Sequence, residues 1–268
     1  IENFEHQLVA YNNAGFCAAL SSGSAAIHLA LMILGVEAGD EVICSSFTFS
    51  ASCNPICYLN AIPVFVDSEK ETWNMNPALL EDAINQRLKH GKKPKAIVLV
   101  HLYGMPAKMK EIMEIADRFD IPVVEDAAEA LGSTYNDKKL GTFGRIGVYS
   151  FNGNKIITTS GGGALVSQNE GFVKRTKYLA TQARQPATHY EHTEIGYNYR
   201  MSPLNAAYGI AQLEKMTATI EQRRSVFKRY KNLLESEGVK FLHEPDGFYS
   251  SRWLSTVTFK RGIDPLKI

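Results

Sequence analysis

The strongest constraint on the fold is a repeated alternation along the chain. Short apolar runs stand at residues 41–45, 63–67, 96–101, 121–126, 146–150 and 164–167. Each is too short for a stable helix and bounded by polar or turn-forming residues, so each reads as a strand. Helical patterns separate them. One runs from 25 to 34, with Ser22 or Ser24 near its start and Gly35 past its end. A second starts at Asn76-Pro77 and ends near Gly91, and an amphipathic third covers 106–120. Apolar strands alternating with helices predict an α/β fold, with a mainly parallel central sheet and helices on both faces. Ligands in such sheets sit at the carboxyl ends of the strands, and Asp126 and Ser150 lie at two such ends.

Composition narrows the class. Of 268 residues 45% are apolar, enough for a large core. The 29 Lys and Arg against 28 Asp and Glu argue against a nucleic-acid surface. The longest apolar stretch, 25–34, is too short to span a bilayer. No signal-type segment opens the sequence, so the cytoplasm is the expected compartment. Cys17, Cys44, Cys53 and Cys57 read as reduced thiols, and His189-Tyr-Glu-His192 lacks the zinc-peptidase spacing, so no metal is expected. Neither a dinucleotide-binding glycine fingerprint nor a P-loop is present.

The chemistry centres on Lys155, in the run Ser150-Phe-Asn-Gly-Asn-Lys-Ile-Ile-Thr-Thr-Ser-Gly-Gly-Gly163. A lysine amine can condense with the aldehyde of pyridoxal phosphate. Asp126, ending an apolar strand, can hold that cofactor's pyridine nitrogen protonated. Glu129 lies within reach of the same ring or of an incoming substrate. Ser22-Gly-Ser-Ala-Ala26 is a candidate phosphate cradle, because free amides at a helix start attract anions. Ser150 offers a second hydroxyl to that phosphate. Phe49 offers an aromatic face to the pyridine ring. Gly161, Gly162 and Gly163 are expected to let the backbone turn sharply beside the lysine.

Five motifs in order complete the picture: Ser-Gly-Ser-Ala-Ala at 22–26, Ser-Phe-Thr-Phe-Ser-Ala-Ser at 46–52, Glu-Asp-Ala-Ala-Glu-Ala-Leu-Gly at 125–132, Ser-Phe-Asn-Gly-Asn-Lys at 150–155 and Gly-Tyr-Asn-Tyr-Arg-Met-Ser at 196–202. Together they resemble the DegT/StrS-type nucleotide-sugar aminotransferases. That resemblance implies a pyridoxal-phosphate-dependent transferase of fold type I. Lys155 would carry the covalent link and the mobile proton, and Asp126 would pair with the ring nitrogen. Ser24, Ala25 and Ser150 would hold the phosphate, with Phe49 stacked on the ring. Asn198 would reach into the neighbouring subunit's site, making a homodimer with shared active sites part of the mechanism. Arg200, with Tyr190 and His192 of the same loop, would face the substrate. The runs 152–163, 189–192 and 251–255 resemble the branch that makes UDP-4-amino-4,6-dideoxy-N-acetylglucosamine, the bacillosamine precursor. That implies a UDP-linked 4-keto-6-deoxy sugar as acceptor and L-glutamate as amino donor. Two other readings compete. Related sugar dehydratases carry histidine in the lysine's place, and regulators can bind the cofactor without catalysis.

From 202 to about 238 the pattern reads as one long helix leaving a large domain that covers 1–237. Strands at 239–242 and 255–259 would begin a smaller C-terminal domain over 238–268. The chain opens on Ile1 and stops shortly after Asp264-Pro265, a helix-start signal, so it reads as part of a longer protein.

Overall fold

A computed structural model describes residues 1–259. Eight helices and twelve strands follow one another along the described residues. They are α1 (Glu2–Asn12), β1 (Phe16–Leu20), α2 (Gly23–Ile33), β2 (Glu41–Ser45), α3 (Asn54–Tyr58), β3 (Ile62–Val66), α4 (Pro77–Lys89), β4 (Ala96–Val100), α5 (Met109–Arg118) and β5 (Val123–Asp126). Then come β6 (Thr134–Tyr135), β7 (Lys138–Lys139), β8 (Ile146–Ser150), β9 (Gly163–Ser167), α6 (Glu170–Ala180), α7 (Pro203–Leu213), α8 (Met216–Leu234), β10 (Lys240–Phe241), β11 (Phe248–Tyr249) and β12 (Val257–Thr258).

Seven strands form the central sheet in the order β1-β9-β8-β5-β4-β2-β3. All neighbours from β3 to β8 run parallel. Only β9 is reversed, antiparallel to both β8 and β1. Period-two alternation sorts the strand side chains between two cores. Ile43, Ile97, Leu99 and Val123 face one core with α1, α4, α5 and α7. Val42, Cys44, Val98 and Val124 face the other with α2, α3 and α6. Along the inner strands β2, β4, β5, β8 and β9 both faces are dry, which is why those strands read as continuous apolar runs. Helix α2 lies almost entirely buried in the second layer. At the sheet's carboxyl edge, the register Ser150↔Gly163 and Leu20↔Gly163 gathers the ends of β1 and β8.

Two expectations change. The helix expected over 202–238 is two, broken at Glu214-Lys215. Met216 and Ile220 of α8 pack so closely over Gly132 that any side chain there would overlap them. The glycines at 161–163 do not make the turn, since Ser160 is the residue with left-handed backbone (φ 67°). Gly163 instead permits close approach: a Cβ there would overlap the Ser22 carbonyl and the Gly23 nitrogen. β10 pairs with β12 in a two-stranded sheet of their own, and the chain between them adds β11 to a separate three-stranded sheet with β6 and β7. β11 pairs with β6, and Trp253 is buried in the first core. Residues 248–253 thus run back against elements of the 1–237 stretch. The expectation for 260–268 lies outside the described residues.

Candidate active site

A cavity of about 280 Å³ opens at the carboxyl edge, lined by residues from α2, the loop after β2, β5, β8 and the returning C-terminal segment. Ser24, Phe49, Asp126, Glu129, Ser150 and Lys155 all line it. Six of the residues singled out in the sequence therefore converge, although Ser24 and Lys155 stand 131 positions apart (155 − 24).

Asp126 is 6% exposed. Its Oδ2 accepts from the Ser52 hydroxyl at 2.6 Å, and its Oδ1 accepts from the Ala128 N–H at 3.1 Å. Ser52 Oγ lies 2.7 Å from Thr48 Oγ1, so the carboxylate is held by a short relay from the loop after β2. Lys155 sits in a turn closed by its own N–H on the Asn152 carbonyl at 3.0 Å. Its Nζ meets Glu129 Oε1 at 3.5 Å and lies 4.3 Å from the centre of the Trp253 ring. Burial pushes the Glu129 carboxyl above the usual range, and Lys155 and the Tyr103 N–H pull it back only in part. That N–H donates to Glu129 Oε2 at 2.7 Å. Trp253 is fixed in turn by its indole N–H on the Asn154 carbonyl, 2.7 Å away.

The start of α2 offers a candidate anion site. Ser22 caps the helix, accepting from the Ala25 N–H at 3.0 Å. That bond occupies the Ala25 amide, and Ala25 does not line the cavity. The donors that helix geometry leaves free are Gly23 and Ser24. A Cβ at Gly23 would stand 3.1 Å from Ser150 Cβ and fill the space between the helix start and the Ser150 hydroxyl. The residues present fit pyridoxal phosphate: amides and hydroxyls for its phosphate, a carboxylate for its ring nitrogen and an amine for its aldehyde.

Four candidates lie outside this cavity in one protomer. Asn198 is exposed on the strip that bridges to Thr181. Arg200 reaches Glu5 of α1, with Nη1 3.8 Å from Oε1. Tyr190 is 79% exposed and packs over the Arg184 guanidinium. His192 Nδ1 bonds the Gln182 carbonyl at 2.8 Å. Sequence reasoning missed Ser52, Thr48 and the contact of Trp253 with Lys155. Ser52 stood inside a quoted motif, and Trp253 inside a run noticed only for its likeness to one branch. Among the described residues no group of three or more His, Cys, Asp or Glu is placed to hold a metal, and no helix is long and apolar enough to cross a membrane.

A lysine and a strand-end carboxylate facing one cavity, beside a helix start, on this sheet, define a fold-type-I pyridoxal phosphate protein. More narrowly, the chain belongs to the DegT/DnrJ/EryC1/StrS aminotransferase family, whose model matches residues 1–263. It is 52% identical over 269 residues to EpsN of Bacillus subtilis (strain 168), assigned as a pyridoxal phosphate-dependent aminotransferase, spanning 100% of this chain and 69% of that one. It is 40% identical over 257 residues to the GDP-perosamine synthase of Escherichia coli O157:H7, covering 96% of this chain and 69% of that relative. A crystal structure of a DegT DnrJ EryC1 StrS aminotransferase from Brucella abortus superposes with a TM-score of 0.92 at 30% identity, over 97% of this chain and 70% of that one. The cofactor is pyridoxal 5′-phosphate.

Proposed function

We propose that the protein transfers an amino group from L-glutamate to a nucleotide-linked 4-keto-6-deoxy sugar, giving a 4-amino sugar for surface glycan or glycoprotein synthesis. The observation that carries this is the convergence of Lys155 and Asp126 on the cavity beside the α2 start. When bound, the cofactor supplies a reactive aldehyde and an electron-withdrawing ring that acidifies the substrate carbon. The protein's residues divide the remaining work. Gly23, Ser24 and Ser150 hold the phosphate, and Phe49 covers the ring. Asp126, kept in one rotamer by Ser52 and Ala128, places negative charge at the ring nitrogen. Lys155 takes a proton at its amine and returns it on the other side of the transfer. Glu129 keeps that amine inside the cavity, and Trp253 shields it from bulk water.

The nucleotide has two supports that pull apart. The runs at 152–163, 189–192 and 251–255 resemble the UDP-linked N-acetylglucosamine branch, whereas GDP-perosamine synthases stand among the curated relatives. A UDP-linked acceptor is our reading, with a GDP-linked one as the rival. The protein works as a two-fold dimer in this reading, with exposed Asn198 entering the partner's site and Arg200, Tyr190 and His192 touching substrate there. Sedimentation at the mass of one protomer would remove the shared-site element. For the chemistry, L-glutamate should bleach the visible band of the loaded protein, and a UDP-linked 4-keto sugar should restore it. Lys155→Ala should abolish turnover. Turnover surviving in that variant, or a band indifferent to glutamate, would favour a silent cofactor-binding regulator.

A further inference from the structure

One turn beyond Ser24 on α2 stands a buried histidine, His28, that nothing in the reaction so far uses. Three tyrosine rings box it in. Tyr58 of α3, Tyr197 and Tyr199 all meet it edge-on, with centroids 5.5, 4.9 and 6.0 Å away. Tyr197 and Tyr199 also stack on each other at 5.0 Å. They share one face of the extended strip 197–201, so Asn198 and Arg200 take the other. Backbone hydrogen bonds sew this strip to its surroundings. The N–H groups of Tyr197 and Tyr199 donate to the Leu179 and Ala180 carbonyls of α6, at 2.7 and 3.0 Å. The Met201 N–H donates to the Ala19 carbonyl of β1 at 3.4 Å, and the Tyr199 carbonyl accepts from the Ser21 N–H at 2.7 Å. Ser21 lines the Lys155 cavity and leads into the Ser22 cap. The tyrosines that rest on His28 therefore carry the backbone that holds the lip of the candidate anion site.

The imidazole has a single polar contact. Its Nδ1 lies 3.4 Å from the Tyr199 hydroxyl, and its Nε2 is buried with no partner among the described residues. A neutral ring with its proton on Nδ1 leaves only a bare lone pair at Nε2. A protonated ring would strand a charged N–H there. Burial accordingly lowers the His28 pKa below its ordinary 6.5. The charges on neighbouring elements are engaged elsewhere. On α3, Cys53 turns to the Ser50 carbonyl and Cys57 is exposed. On α6, Lys174, Arg175 and Lys177 pair with Glu170, Glu194 and Glu5, and Arg200 of the strip also reaches Glu5. On β5, Glu125 bonds His101 and Asp126 bonds Ser52, and on β8 the Tyr149 hydroxyl bonds the Leu140 carbonyl.

We propose that His28 is a positioning residue: as a neutral ring it seats the 197–201 strip on α2, and through Ser21 it keeps the cofactor's phosphate site in place. This role rests on the reading that the start of α2 takes that phosphate. An opened strip frees the imidazole to bind a proton at its ordinary value. Seating is thus fully stable above pH 6.5 and weakens as pH falls from there through the lowered value.

Amide hydrogen exchange of the loaded protein reads the seat at Ser21, Tyr197, Tyr199 and Met201, as protection factors with intrinsic exchange divided out. In wild type, protection at these amides should fall by up to about tenfold per pH unit below 6.5, while the β5 amides hold. His28→Phe keeps a ring for the tyrosines but does not titrate, so its protection should stay flat over the same range. His28→Ala removes the ring and should lower protection about a hundredfold at pH 8. Its pyridoxal phosphate binding, read by equilibrium dialysis, should weaken about tenfold, and His28→Phe should restore both values. An acid loss that persists in His28→Phe would overturn the role, as would wild-type protection in His28→Ala. An opened strip with unchanged cofactor affinity would overturn the link to the phosphate site. If Ser24→Ala combined with Ser150→Ala also leaves that affinity unchanged, the reading of the α2 start fails as well. Should His28→Ala not fold, the comparison of wild type with His28→Phe decides alone.

Discussion

Strand β5 ends in two consecutive carboxylates that face opposite sides of the sheet. Glu125 is fully buried and receives four donors: His101 Nε2 at 3.0 Å, Gly141 N–H at 2.8 Å, and the N–H groups of Phe143 and Gly144, each at 2.6 Å. The Ala107 N–H donates to His101 Nδ1, so the ring's proton sits on Nε2 and is given to Glu125. Asp126, one residue on, has two donors and opens into the cavity. One residue staples the 141–144 loop under the sheet. The other keeps lone pairs for a ligand. Adjacent residues of one chemical type thus acquire different duties from how many of their hydrogen-bond sites the fold fills.

The contrast can be broken from either side. Glu125→Ala should have the larger effect, because it strands one buried and two half-buried N–H groups and a buried imidazole. A fall in unfolding free energy of about 4–5 kcal/mol is expected, read by urea denaturation. A loss under about 1 kcal/mol would mean that the loop does not depend on its carboxylate. Asp126→Asn removes a charge where the fold has left capacity, so it should act on turnover instead. A drop of about a hundredfold to a thousandfold in kcat is expected, with stability within about 1 kcal/mol of wild type. If the two variants exchanged their phenotypes, the assignment of fold to one carboxylate and function to the other would be wrong.

The same contrast marks what the sequence could reveal. Strand β8 appears in the sequence with the bounds it has in the structure, and β2 likewise, because strands buried on both faces leave unbroken apolar runs. Strand β1 and helix α1 went unread, and α1 has only a weakly amphipathic pattern. In the site, Lys155 and Asp126 stand out because each breaks a local rule, a lysine among glycines and an acid ending an apolar strand. Their supports do not. Ser52 reaches Asp126 across 74 positions, and Trp253 reaches the Lys155 turn across 98 (253 − 155), and no local periodicity encodes such pairings. Glu125 was legible as a strand residue but not as a staple, since its donors come from the 141–144 loop and from His101.

The returning C-terminal segment sharpens the comparison on a smaller scale. Glu244 accepts from Arg224 Nη1 at 2.6 Å and from the Ser250 N–H at 2.7 Å, and it lies 3.5 Å from Arg252 Nη2. This cluster holds the stretch that carries Trp253 to Lys155. Burial by itself would raise the Glu244 carboxyl, but the Arg224 hydrogen bond, the Ser250 N–H and Arg252 outweigh it and hold it below its ordinary 4.5. A depressed carboxyl stabilises the fold above its unfolded value, and that contribution disappears as pH falls through the folded value. Glu244→Gln should therefore cost about 2 kcal/mol at pH 7, with the gap to wild type narrowing below about pH 4. In that variant the Trp253 emission should shift red as the indole loses its place beside the lysine. A gap that stays constant down to pH 3 would show that the carboxylate's charge does not hold the segment, and would leave Trp253 anchored by its bond to Asn154 and its burial alone.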